Sequence, residues 1–218
     1  MVEWGALLAN GFKSARMALR VIVAMSSDFD ASDKELLSVV ADGRNAGRDK
    51  AMLVLIERHL PAILTLARRM VGQAEADDIA QEVMFRLWQK AADLELDTRG
   101  ARPWLYRVAS NLCLDQLRKR RELTGTELPE RSMAPDQDKQ LNEQHMTRTV
   151  EDALNHLPER QKLALALFHL QDMTQRETAQ IMDVTEEALE SLLRRARAGL
   201  KTRLSDSWQE LMPESHDG

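Results

Sequence analysis

An all-α fold, arranged as two small helical domains joined by a linker, follows from three observations on the 218-residue chain. Apolar residues recur at helical spacing along most of its length. Alternating strand patterns are missing, with Val21 to Met25 the one short β-like run, and only nine glycines interrupt the chain. A proline-bearing, acidic stretch past the midpoint then breaks the helical pattern, as a linker does.

Taken in order, residues 1–30 read as an N-terminal extension. Its first 24 residues are basic and partly apolar, with Lys13, Arg16 and Arg20 breaking every apolar run before it is long enough to cross a bilayer. A signal-type cleavage site is also missing. Met25 is followed by SSDFDASDKELL, which resembles an ordinary protein start and a helix cap, so translation from Met25 is one reading. A short amphipathic arm that touches a membrane surface or a partner is the other.

Helices are expected from Asp33 to Asp42, Arg48 to Met70, Ala76 to Ala92 and Pro103 to Arg121, giving a first domain over 31–121. Pro103 suits a first helical turn, where its missing N–H costs nothing. Residues 122–145 combine two prolines, few apolar side chains and excess acid, and form the linker. A second helical module spans 146–210, with Pro158 opening one of its helices, and 211–218 is a tail.

Composition excludes several function classes. Hydrophobic content of 44% and charged content of 30% are those of a soluble globular protein. The single cysteine, Cys113, permits neither a disulfide framework nor a cysteine zinc site, and its position on the inner side of a helix suits a small core residue. Of the five histidines (His59, His145, His156, His169 and His216), no two have metal-ligand spacing. No glycine-rich phosphate loop or nucleophile elbow occurs. The pattern points away from an enzyme and calls for no metal, cofactor or small-molecule substrate.

The segment RPWLYRVASNLCLDQLRKRR, Arg102 to Arg121, is the most informative. As a helix it aligns Trp104, Arg107, Asn111, Asp115 and Arg118 on one stripe, while Leu105, Val108, Ala109 and Leu112 turn towards a core. An aromatic beside an amide and guanidinium groups offers unpaired bases a stacking surface, edge-reading groups and charge for phosphates. The terminal cations Arg118, Lys119, Arg120 and Arg121 suit the backbone of adjoining duplex. The competing explanation is a solvated helix face with a packed Trp.

A net charge of −5 conceals segregated charge. Arg99 to Arg121 holds seven cations against Asp115 alone, and Glu190 to Arg203 holds five against Glu190. Local potential governs binding to DNA, so basic patches on an acidic protein are compatible with it.

In the second module, Thr174-Gln175-Arg176-Glu177 is a capping box that starts a helix running to about Met182. Asp183 and Val184 make a turn, and Thr185 caps the next helix. There Leu189, Leu193, Ala196 and Leu200 pack inward, whereas Glu187, Glu190, Ser191 and Arg194 face out, followed by Arg195, Arg197 and Lys201. Such a helix-turn-helix fits a major-groove reader. A plain antiparallel helix pair would carry the same cap.

Both halves together, over Ser32 to Leu204, resemble the small extracytoplasmic-function group of bacterial sigma-70-type initiation factors, which keep two helical domains, sigma-2 and sigma-4. Asp77-Asp78-Ile79-Ala80-Gln81-Glu82 with Leu87-Trp88 matches the acidic sigma-2 segment, and Trp104 to Asn111 matches its W-L-Y-R-[IV]-A-x-N segment. Leu157 to Arg160 matches the L-P-x-R opening of sigma-4, and Thr174 to Met182 its [ST]-x-x-E-x-A-x-x-[LM] pattern.

The resemblance implies residue roles. Asp77, Asp78, Gln81, Glu82, Phe85 and Trp88 would bind the largest subunits of core RNA polymerase, although Phe85 would equally suit packing on a neighbouring helix. An aromatic is common where Met84 stands, which shifts or softens the contact. The loop Asp97, Thr98, Arg99, Gly100 and Ala101 would hold a base flipped out of the minus-ten element, with Trp104, Arg107, Asn111 and Asp115 at the duplex-to-single-strand junction. Arg118 to Arg121 would grip upstream phosphate. Arg176, Glu190, Ser191, Arg194, Arg195, Arg197 and Lys201 would meet the minus-thirty-five element. Glu190 and Leu192 stand where a cation is frequent, so the sequence preference departs from the common one; Glu can accept from cytosine N4 and Leu can meet a thymine methyl.

The expected function is an alternative, cytoplasmic sigma factor that binds core polymerase and promoter DNA. An anti-sigma protein, often membrane-anchored in the group, would hold it in reserve at the inner membrane. Two other readings remain at this point: a helix-turn-helix regulator acting without core polymerase, and a single-strand- or RNA-binding protein using the Trp104 stripe alone.

Overall fold

A computed structural model describes residues 31–42, 46–96, 98–124, 149–171 and 173–211. The expectations for residues 1–30, for most of the linker, for residues 146–148 of the second module and for residues 212–218 of the tail lie outside these. All regular structure among the described residues is helical. The chain divides into two units, one up to Gln116 and one from Leu117.

In the first unit, α1 (Asp33–Ala41) starts from a capping box: the Glu35 amide donates to Ser32 Oγ at 3.3 Å, and the Ser32 amide donates to Glu35 Oε2 at 2.7 Å. The Glu35 carboxyl titrates below its ordinary value because the Ser32 hydroxyl and amide hydrogen-bond its ionised form. Leu36, Leu37 and Val40 bury one face of α1 against α2 (Ala46–Val71). Pro61 lies inside α2 and removes one ladder hydrogen bond, yet the helix continues through it. Leu60, Ile63 and Leu64 are buried on either side, and burying such side chains stabilises by about 1.5–3 kcal/mol each.

Gly72, at φ 90°, turns the chain out of α2 while its N–H still donates to Arg68 O at 3.0 Å. That turn starts α3 (Gln73–Lys90) earlier than the apolar pattern alone suggests. Ala76, Ile79, Ala80, Val83, Met84 and Leu87 form its buried stripe, and α3 also packs on α2. Helix α4 (Arg102–Thr124) starts in this unit, runs past its boundary at Gln116 and takes in Glu122, Leu123 and Thr124, the first residues expected as linker. Helix-compatible side chains persist there until Gly125.

In the second unit, α5 covers residues 149–155 and α6 (Glu159–Leu170) starts at Pro158. Helix α7 (Gln175–Met182) has the expected capping box, with Glu177 N–H donating to Thr174 Oγ1 at 3.2 Å and Thr174 N–H to Glu177 Oε2 at 2.9 Å. Asp183, at φ 53°, takes the left-handed conformation that ends many helices, and Val184 N–H reaches back to Ala179 O at 3.0 Å. Thr185 Oγ1 then accepts from Ala188 N–H at 3.2 Å and caps α8 (Glu186–Leu211). Helices α6, α7 and α8 pack on one another around Leu163, Leu167, Ile181, Leu189, Leu193 and Ala196.

Candidate nucleic-acid and polymerase interfaces

Helix α4 has no acidic residue in its first turn, and Ala101 before it has no side-chain oxygen to cap with. A carboxylate from α1 fills the gap. Asp33 Oδ2 accepts the Ala101 N–H at 2.8 Å and lies 2.9 Å from His59 Nε2, while Oδ1 accepts from Arg58 Nη1 at 2.5 Å. Arg58 Nη2 also donates to Ala31 O at 3.0 Å. The Asp33 side chain is only 6% exposed, so its charge sits on the positive end of α4 with little water to screen it. Burial opposes that charge. Hydrogen bonds from His59 and the Ala101 amide, the attraction of His59 and the Arg58 hydrogen bond outweigh it and hold the carboxyl well below its usual range. Gly100 follows from the same geometry: its φ is +68°, and a Cβ there would lie 2.5 Å from Asp33 Oδ2.

The loop and stripe expected to meet unpaired DNA start from this anchor. Thr98 and Arg99 are exposed and Gly100 half-buried, whereas Asp97 lies outside the described residues. On α4, Arg107, Asn111, Asp115, Arg118, Lys119 and Arg121 are exposed, with Trp104 and Arg120 half-buried. Leu105, Ala109, Cys113 and Leu117 are buried behind them, while Val108 and Leu112 sit at the boundary rather than in the core. Tyr106 is 2% exposed and stacks its ring under Arg102, 5.6 Å from the guanidinium carbon. Burial pushes its phenol pKa up, with Arg102 opposing. Trp104 is therefore the aromatic of α4 with surface to offer a base.

On α3, Asp78 is exposed and Asp77, Gln81, Glu82, Phe85 and Trp88 are half-buried along one side. Phe85 and Trp88 are ring neighbours, tilted, with centroids 5.9 Å apart. Arg68 Nη2 lies 3.8 Å from Asp77 Oδ1, and Arg86 Nε donates to Glu82 Oε1 at 2.7 Å. Met84 is fully buried, so it belongs to the core rather than to any exposed contact.

On the helix-turn-helix, Arg176 of α7 and Glu190, Arg194, Arg195, Arg197 and Lys201 of α8 are exposed, with Ser191 and Leu192 half-buried. Arg195 Nε donates to Ser191 O at 3.1 Å, and Arg197 Nη2 lies 3.5 Å from His169 Nε2. The exposed Glu187 carboxyl titrates below its ordinary value because its own amide and the Thr185 hydroxyl hydrogen-bond it at the helix start.

Sequence reasoning missed Asp33, Arg58 and His59. In sequence Asp33 reads as part of a helix cap, and its partner Ala101 lies 68 residues away. It also missed Arg48, whose guanidinium carbon lies 4.9 Å from the centroid of the Trp88 ring. None of these pairings leaves a local signature. Among the described residues, no group of acidic, histidine or cysteine side chains could hold a metal ion, and no helix is long and apolar enough to cross a membrane.

Residues 55–122 match the family model of sigma-70 region 2, and residues 147–200 match that of sigma-70 region 4, together more than half of the chain. The extracytoplasmic-function RNA polymerase sigma factor SigW of Bacillus subtilis is 25% identical over 181 residues, which cover 73% of this chain and 92% of SigW. SigM of Mycobacterium tuberculosis, a factor of the same group, is 29% identical over 179 residues, covering 82% of this chain and 87% of SigM. Among solved structures, CnrH in complex with the cytosolic domain of CnrY aligns with a TM-score of 0.59 at 23% identity, over 81% of this chain and 99% of that one. The sigma factor RpoE of Bartonella quintana aligns with a TM-score of 0.58 at 23% identity, over 70% of this chain and 95% of that one. These two likenesses establish the helical fold. With regions 2 and 4 both present and in order, the chain belongs to the extracytoplasmic-function group of the sigma-70 family and is an alternative sigma factor directing transcription.

Proposed function

We propose that the first domain, residues 31–121, binds core RNA polymerase through the Asp77, Asp78, Gln81, Glu82, Phe85 and Trp88 side of α3 and opens the minus-ten element with α4 and the loop before it. The second domain, residues 146–210, reads the minus-thirty-five duplex. Supporting this division is the exposed α4 face: Trp104, Arg107, Asn111 and Asp115 on one side of a helix whose other side is core, beside a loop pinned through Asp33. Flipping a base out of a duplex costs a few kcal/mol, which a stacking ring and edge-reading groups offset. With Tyr106 buried, Trp104 is the stacking surface that α4 has to offer, so opening is confined to well-matched promoters. Arg118 to Arg121 hold the upstream phosphates, and Arg176, Arg194, Arg195, Arg197 and Lys201 hold the duplex around Glu190 and Ser191.

An anti-sigma protein is the proposed regulator, sequestering the factor and, where membrane-anchored, holding it at the inner membrane. The Bartonella RpoE structure is a complex with the anti-sigma factor NepR, and CnrH is bound to the cytosolic domain of CnrY. The decisive experiment is run-off transcription with purified core polymerase on the promoter upstream of the factor's own gene. A defined transcript that requires both core and this protein is expected. DNA binding without any association with core would overturn the assignment in favour of a regulator acting alone.

A further inference from the structure

We infer that Asp33 is a positioning residue for promoter reading: by holding the backbone at Gly100 and Ala101 it fixes the loop and the first turn of α4 in the shape that discriminates minus-ten bases. The inference rests on the proposed role of that loop, and goes beyond it by assigning a specificity function to a residue of α1 outside both recognition segments.

Four observations converge. Asp33 Oδ2 accepts the amide of Ala101, whose own carbonyl accepts the Leu105 N–H at 3.0 Å and so begins the α4 ladder. Gly100 is held at φ +68°, a conformation that L side chains rarely adopt, and the space its Cβ would occupy is filled by the Asp33 carboxylate. The carboxylate is itself fixed from α2, by Arg58 on Oδ1 and His59 on Oδ2. Finally, α4 lacks a first-turn acid of its own, so Asp33 supplies the negative charge at the end that carries Trp104. Base discrimination requires recognition groups held to within a fraction of an ångström, and a loop of exposed residues needs such an anchor to achieve it. Thr98 and Arg99 on one side, and Trp104 and Arg107 on the other, inherit their positions from the same carboxylate.

The test uses the full chain with core polymerase and compares transcription from a matched promoter with that from promoters carrying single minus-ten substitutions. The ratio between the two is the readout, because a loss of active protein lowers both rates and leaves the ratio unchanged. Asp33→Asn should retain core binding and lower the ratio by roughly tenfold at the base held by the loop, the scale of one lost base contact. Gly100→Ala, which leaves Asp33 in place but crowds it, should lower the same ratio and serves as the test should Asp33→Asn fail to fold. A wild-type ratio in the folded variant would overturn the proposal. Asn111→Ala, which removes an edge-reading amide from the same face of α4, is measured alongside and separates the two levels: if it too leaves every minus-ten preference intact, the assignment of α4 itself has failed. Altered preference in Asn111→Ala with an unaltered Asp33→Asn rejects the positioning role alone.

Discussion

Arg48 covers Trp88. Its guanidinium carbon lies 4.9 Å from the ring centroid, and its Nε is buried without a hydrogen-bond partner, so the ring face stands in for one. One side of the aromatic expected to meet polymerase is thus occupied from α2, and the tilted Phe85 ring is a neighbour at 5.9 Å between centroids. Trp88 serves the fold as well as the surface, which makes Trp88→Ala a poor test of the interface: it would lower stability and core affinity together.

The cleaner test reverses charge on the same side of α3. Asp78→Arg combined with Glu82→Arg leaves Ile79, Val83 and Leu87 in the core untouched. The exposed Glu82–Arg86 pair is lost, at a cost of about 0.5 kcal/mol. Affinity for core polymerase should fall by roughly tenfold or more, since like charges across an interface cost several kcal/mol. Co-purification and a binding titration measure it. A folded double variant that binds core as well as wild type does would remove α3 from the interface.

The exposed cations of α8 should separate from Glu190 in their effects. Arg194→Ala and Arg195→Ala should each weaken binding to upstream duplex and reduce the slope of log affinity against log salt by about 1 if each meets a phosphate. Neither should alter binding of the isolated first domain to a single-stranded minus-ten oligonucleotide. Glu190→Ala should instead change the preferred base at one position, as loss of an acceptor for cytosine N4 requires. An unchanged promoter profile for Glu190→Ala would show that its carboxylate reads nothing.

Asp33 gives the first unit an acid-sensitive joint. Its carboxyl titrates below the ordinary value of 3.8 in the folded protein, because the His59, Ala101 and Arg58 hydrogen bonds overcome the effect of burial. The unfolded state therefore takes up its proton first as pH falls. The stabilisation is full above about pH 5 and is lost as pH drops through 3.8 towards the folded value. Asp33→Asn should cost on the order of 2 kcal/mol at neutral pH, the scale of a buried charged hydrogen bond left unmade. Its unfolding free energy should also fall less steeply than wild type between about pH 5 and pH 3. Parallel curves for the two proteins would contradict this coupling.

Which parts of this molecule are legible in its sequence depends on how far apart the interacting groups lie. Both capping boxes, Ser32 with Glu35 and Thr174 with Glu177, join residues three apart and stand in the sequence as written. The α4 stripe is equally local, since helical periodicity alone separates Arg107, Asn111 and Asp115 from Leu105, Ala109 and Cys113. Tyr106 has no such signature, because an aromatic beside a basic residue looks the same in sequence whether it faces solvent or core. The Asp33 anchor joins α1, α2 and the loop before α4, and no periodicity encodes it. Gly100 is its one trace in the sequence, a glycine whose lack of a side chain makes room for a carboxylate from another helix.

Thr174→Ala tests how much of the helix-turn-helix geometry the cap holds. Thr174 Oγ1 accepts the Glu177 amide and donates to its carboxylate at 2.8 Å, and Thr178 Oγ1 donates to Thr174 O at 3.0 Å. Removing the hydroxyl should cost about 1 kcal/mol in denaturant unfolding of the second domain. Thr174→Ser should recover most of it. Equal losses for both variants would place the stabilisation in the methyl group rather than in the cap.

Opening of the promoter should depend on Asn111 and Trp104 while closed-complex formation does not. Asn111 is exposed on α4 one turn after Arg107 and one turn before Asp115, and its amide can both donate to and accept from an unpaired base edge. Asn111→Ala removes those groups without touching the buried Leu105, Ala109 and Cys113 behind them, so stability should change by less than about 0.5 kcal/mol. Trp104→Ala removes the stacking surface, worth about 1–3 kcal/mol per base, and some packing with it because the ring is half-buried. Tyr106→Phe, altering a ring with no surface to offer, should open promoters normally. In permanganate footprints of unpaired thymines, the first two variants should lose reactivity over the minus-ten element on duplex promoter, and a template with a pre-melted bubble should restore most of their transcription. Normal opening by both variants would reduce this face of α4 to a solvated surface with a packed indole, and the single-strand role of the first domain would have to move to other residues.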